Sequence, residues 1–92
     1  MKAFDKSDFI QTWINQNEYY RVGYNKSTKD KIIVVTITWI AWYDIYFKLT
    51  DEEYEWHKNN ISALTDLAQR MAIDKGENFY KDKLLLNEGH QK

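Results

Sequence analysis

A run of twelve residues without a charge, Ile32 to Tyr43, constrains this chain more than any other feature. Its first seven residues, Ile32-Ile33-Val34-Val35-Thr36-Ile37-Thr38, are all β-branched. Such side chains are stiff at χ1 and pack well on a pleated surface. A membrane span needs about 18–20 apolar residues, so the run reads as a strand inside a sheet. Alternation places Ile33, Val35, Ile37 and Trp39 on one face. Ile32, Val34, Thr36 and Thr38 fall on the other, and the threonines mark it as the less buried side.

The flanking segments supply neighbours for that strand. Glu18 to Tyr24 has Tyr20, Val22 and Tyr24 on one face and Tyr19, Arg21 and Gly23 on the other. A polar turn from Asn25 to Asp30 joins it to the central run. A second turn around Ala41 to Asp44 leads to a third strand, with Ile45, Phe47 and Leu49 inward and Tyr46 and Lys48 outward. These loop lengths suit an antiparallel meander. Helical signals lie outside it. Asp5 reads as an N-cap, with Phe4 and Phe9 as a hydrophobic staple, and Phe9, Ile10, Trp13 and Ile14 share one face of an expected first helix. Thr50-Asp51-Glu52-Glu53 is a capping box, and Tyr54, Ile61, Leu64, Ala68 and Met71 keep a helical phase beyond it. Asn59-Asn60 offers a break, with Asn60 as a second cap, and Gly76 is a natural residue after the helix end. Phe79, Tyr80 and Leu84 to Leu86 are expected to pack back on the core, and residues 87–92 to form a tail. The expectation is one α+β domain over residues 1–92: a small antiparallel sheet of about three strands, an N-terminal helix, and one or two C-terminal helices on one face.

Ninety-two residues leave room for one core, and what is missing excludes several chemistries. The chain has no cysteine, no proline and three glycines. Disulfide scaffolds, thiolate metal sites, thiol nucleophiles and glycine-rich phosphate loops are therefore out. The charged N-terminal stretch lacks the apolar core of a secretory signal, so a cytoplasmic, non-membrane protein is expected. A net charge of −1 argues against a general nucleic-acid binder. The hairpin carrying Tyr19, Tyr20, Arg21, Tyr24, Lys26, Lys29 and Lys31 does interleave rings and cations as single-strand binders do, but Asp30 dilutes it. The histidines are His57 and His90. His57 stands four residues after Glu53, half of a metal or acid–base site with no third member at metal-ligand spacing. Ser7, Ser27 and Ser62 lie in polar or capping contexts without a nucleophile elbow. The expectation is a non-enzyme with no metal or cofactor; a small enzyme depending on His57 is the minor alternative.

Fifteen of the residues are aromatic. Phe9, Trp13, Tyr20, Tyr24, Trp39, Phe47 and Phe79 have inward positions. Tyr19, Trp42, Tyr43, Tyr46 and Trp56 do not all fit inside, and Asp44, Asp51, Glu52 and Glu55 stand near them in sequence. Exposed rings supply affinity and acids steer a basic partner. The expected partner-binding residues are Trp42, Tyr43, Asp44, Tyr46, Asp51, Glu52 and Glu55. A small chain of this charge distribution, rich in Asn, Lys, Ile and Tyr and lacking a catalytic set, resembles in type the small bacterial toxin-neutralising (immunity) proteins, including those paired with contact-dependent-inhibition and other polymorphic toxins. The resemblance rests on no motif. It implies one-to-one binding that covers the active site of a basic, nuclease-like toxin. The alternative is a self-associating accessory domain, a homodimer formed through a sheet edge or the aromatic face.

Overall fold

The computed structural model describes residues 4–38 and 41–90. Five strands form one antiparallel sheet in the order β1 (Phe9–Asn15), β2 (Tyr20–Asn25), β3 (Lys31–Ile37), β4 (Tyr43–Leu49) and β5 (Leu84–Asn87). Helices α1 (Asp51–Asn59) and α2 (Ile61–Asp74) lie between β4 and β5 in the chain. Short 3₁₀ turns occupy Lys6–Asp8, Lys81–Lys83 and Glu88–His90. The α+β class and the antiparallel meander are as expected. Trp39, assigned inward by alternation, lies outside the described residues.

The charge-free run forms the middle strand, with β2 and β4 on either side. On one face Tyr20, Val22, Ile33, Val35, Ile45, Phe47 and Leu49 pack against Leu64, Leu67, Ala68 and Met71 of α2. Both helix starts are set by their caps. Thr50 and Glu53 exchange side-chain-to-backbone hydrogen bonds as a capping box, and Asn60 accepts from Ala63 N to open α2. Trp56, which falls off the apolar stripe, is nonetheless half-buried against this core.

The expected N-terminal helix is a strand. Asp5 does cap a turn, accepting from Ser7 N at 3.0 Å, but that turn is one 3₁₀ turn long and β1 follows it. The reason lies in the β1–β2 register: Gln11 pairs with Gly23 and Trp13 with Val22, leaving Thr12 as the extra residue of a bulge. A bulge reverses the inside–outside parity of a strand. Apolar residues at 9, 10, 13 and 14 therefore alternate correctly on either side of Thr12 while imitating helical spacing. Gly23 permits the close crossing here, since a Cβ on it would stand 1.9 Å from the Ile10 carbonyl oxygen.

The second face of the sheet is also covered, contrary to expectation. Ile32, Val34 and Tyr46 are buried there beneath Phe4, Phe9, Leu85 and Leu86. Tyr46 points away from Ile45 and Phe47, as alternation requires, yet it is only 5% exposed. Phe4 and Phe9 place their ring centroids 5.4 and 6.0 Å from it. The segment after α2 supplies β5 as a fifth strand. Asn87, expected to begin a tail, is the buried last residue of that strand and donates to the Lys75 carbonyl.

Candidate functional site

The seven residues expected to bind a partner do not form one patch. Trp42 is 70% exposed, just before β4. Its ring stands edge-on to Tyr19 at 5.9 Å, beside a hollow of about 290 Å³ shared with Ile14 and Arg21. Tyr43 is half-buried against the helix-side core. Asp44 accepts from Arg21 Nη2 at 3.1 Å and from the Thr36 hydroxyl at 2.7 Å, so its charge is held within the fold. Tyr46 is buried in the back-face core. Burial, reinforced by Asp44 and Glu88, raises its phenol pKa above the ordinary value, while Arg21 and Lys6 oppose that shift.

Asp51, Glu52 and Glu55 are exposed at the far end of β4. The seven residues of that strand put about 20 Å between them and Trp42. Their surroundings are of mixed sign. Lys31 pairs across from Leu49, Lys48 Nζ is 3.8 Å from Asp30, and Lys58 is 3.4 Å from Glu55. Acids and bases that are segregated in sequence meet at one end of the sheet.

Three cations of the ring-and-cation hairpin sit over rings. Lys29 lies over Tyr24, which is half-buried, Lys31 over Tyr54, and Arg21 over Phe9, at 5.2–5.9 Å from each centroid. His57 does not meet Glu53. Glu53 accepts from the Thr50 backbone and faces Lys83, whereas His57 Nδ1 lies 2.6 Å from the Tyr54 carbonyl oxygen. A carbonyl only accepts, so Nδ1 carries the proton. The imidazole ring packs on Trp13 and Tyr54. Among the described residues no group of three or more His, Asp or Glu side chains is arranged to hold a metal.

Among the described residues, the most exposed large apolar side chains are two that sequence reasoning did not place on a surface. Phe79, assigned inward, is 91% exposed, and Ile73 is 83% exposed. They flank a concavity of about 580 Å³ lined also by Arg70, Asp74, Asn78 and Tyr80. The geometry follows from the end of α2. Lys75 and Gly76 are both left-handed, with φ of 57° and 76°, and turn the chain sharply. The Asp74 carboxylate then accepts three backbone N–H groups, from Asn78 at 3.2 Å, Phe79 at 2.9 Å and Tyr80 at 3.1 Å. Tyr80 takes the inward slot, its ring edge-on to Phe47 at 6.4 Å. Phe79 is thereby directed outward. Burial works against the Asp74 charge, but N–H groups of Phe79, Tyr80, Asn78 and Gly76 outweigh it and hold the carboxyl below its ordinary range. The legible signals were an apolar residue off the α2 stripe and two adjacent rings of which only one can point in.

The two exposed surfaces share no lining residue. Trp42 precedes the first residue of β4, and Asn87, paired with Ile45 of that strand, bonds the Lys75 carbonyl just after α2. No family model matches the chain, and neither curated proteins nor solved structures show a match to it. The site therefore stands on its own geometry. The fold offers an apolar ledge on a braced loop, a second ring pair at Trp42 and Tyr19, and an internally satisfied polar network.

Proposed function

We propose that the chain is a non-catalytic protein-binding domain of the immunity or inhibitor type, with Phe79 and Ile73 as its anchors. The observation that carries this reading is that Phe79 is held out in water by a loop pinned through the Asp74 carboxylate. A free loop would fold such a ring onto the protein, because covering a large apolar side chain gains roughly 1.5–3 kcal/mol. A braced loop presents it ready to enter a partner's pocket and loses little conformational entropy on binding. Aromatic and Arg side chains at the centre of a contact dominate binding energy, and Arg70 and Tyr80 border this one. Trp42 and Tyr19 offer a second, separate ring pair near the β4 start.

The narrower reading is a one-to-one complex that neutralises a basic, nuclease-like toxin. It is supported by the chain's size and by the exposed acids Asp51, Glu52 and Glu55, which would act by steering encounter rather than by direct contact with the ring surface. The test is capture of a partner from the source lysate by wild-type protein and by Phe79→Ala and His57→Ala variants. Binding lost in Phe79→Ala and kept in His57→Ala supports the anchor. Equal capture by both overturns it. Self-association through a sheet edge has less support. The β1 edge carries a bulge and β5 is four residues long, two features that blunt edge pairing.

A further inference from the structure

We propose that residues 4–7 form a strap, hinged at Asp8 and latched by the Lys6–Glu88 ion pair, whose release uncovers the apolar back face of the sheet around Tyr46. The hinge is fixed. The Asp8 carbonyl accepts Lys26 N at 2.9 Å, and its carboxylate accepts the Ser27 hydroxyl at 3.2 Å. Beyond it the chain crosses the back face, lays Phe4 on Tyr46 and pairs Lys6 with Glu88, 82 residues away. Glu88 also accepts the Asp44 backbone N–H at 3.3 Å, so the latch is tied to the start of β4.

Two features favour release of this segment, although Phe4 packs on the buried back-face residues. First, the latch is open to water, with the Lys6 side chain 56% and the Glu88 side chain 19% exposed. Ion pairs in such settings shift equilibria by only about two- to fivefold. Second, the strap does not lie flat. A hollow of about 190 Å³ separates Phe4 and Asp5 from Ser27 and Asp30, with Ile32 and Leu85 among its lining. Lifted about Asp8, the strap would remove Phe4 from Tyr46 and widen the apolar face that Ile32, Val34, Leu85 and Leu86 share with it, Phe9 staying in place on β1. The strap is a releasable cover on that face, and this role is independent of the Phe79 ledge.

The experiment is amide hydrogen exchange on the full chain, with binding of an anionic hydrophobic dye measured in parallel. The variants are Lys6→Glu, Glu88→Lys and the charge-swapped double variant. The reporters are the Asp8 amide, bonded to the Asp5 carbonyl at 2.9 Å, and the Ile33 amide in the sheet centre. Lys6→Glu is expected to speed exchange at Asp8 at least about threefold and to raise dye binding. Ile33 should stay protected, and the double variant should return both signals toward wild type. Unchanged Asp8 exchange in Lys6→Glu overturns the latch. So does a rise that the double variant fails to reverse, or an equal rise at Ile33, which would make the segment one cooperative unit with the sheet.

Discussion

The Asp74 carboxylate accepts the backbone N–H of Phe79 at 2.9 Å, and that bond fixes an almost fully exposed ring at the end of α2. The same carboxylate holds Asn78 and Tyr80, so one side chain organises the loop and sends one ring inward and its neighbour outward. A charged acceptor of several backbone N–H groups is a strong local brace, and here those bonds together outweigh the desolvation that works against the charge.

Replacing Asp74 by Ala should loosen this loop without disturbing the sheet. The amides of Phe79 and Tyr80 should exchange faster, while those of Ile33 and Val35 keep their protection. Hydrogen exchange resolved by residue checks both halves of that statement.

The same brace gives the loop a pH dependence of known sign. The Asp74 carboxyl has a lower pKa folded than unfolded. Its contribution is therefore fully present above the unfolded value, about 3.9 for Asp, and is lost as pH falls through the folded value. Loop amides should lose protection in that acid range in wild type. The Asp74→Asn variant should lack this step.

Gly23→Ala should cost at least about 2 kcal/mol, because the new Cβ meets the Ile10 carbonyl carbon and oxygen rather than a flexible side chain. Chemical denaturation measures it. A loss below about 0.5 kcal/mol would mean that β1 does not cross β2 this closely.

Asp44 is expected to act on stability rather than on encounter with a partner. Asp44→Asn weakens its bonds with Arg21 and Thr36 in a half-buried setting, at about 1 kcal/mol. A double-mutant cycle with Arg21→Met should return a coupling of similar size.

Much of the fold is legible in the sequence because local chemistry and tertiary packing agree there. The β-branched run, the Thr50 capping box and the Asn60 cap each specify one conformation; both caps form as read, and the run forms β3, which ends at Ile37. The misreadings share a physical origin. Thr12 sits in a bulge, and a bulge makes a two-residue period look like a helical one. Tyr46 reads as outward by alternation, and it is outward, but the cover comes from Phe4 and Leu86, residues at opposite ends of the chain. Periodicity reports which face a side chain takes and not what lies over it. The candidate site was less legible for the same reason. Sequence proximity joined Trp42 and Asp44 to Asp51, Glu52 and Glu55, whereas β4 carries the two groups to opposite ends of the sheet. Phe79 was assigned inward because its outward direction depends on bonds to Asp74, five residues earlier.

The most direct test of the anchor role compares Phe79→Ser with wild type in both stability and partner capture. At a 91% exposed position the substitution should change unfolding free energy by no more than about 0.5 kcal/mol. Partner capture should fall at least about tenfold, the loss expected for a residue that carries a contact. Full capture by a stably folded Phe79→Ser protein would contradict the central claim.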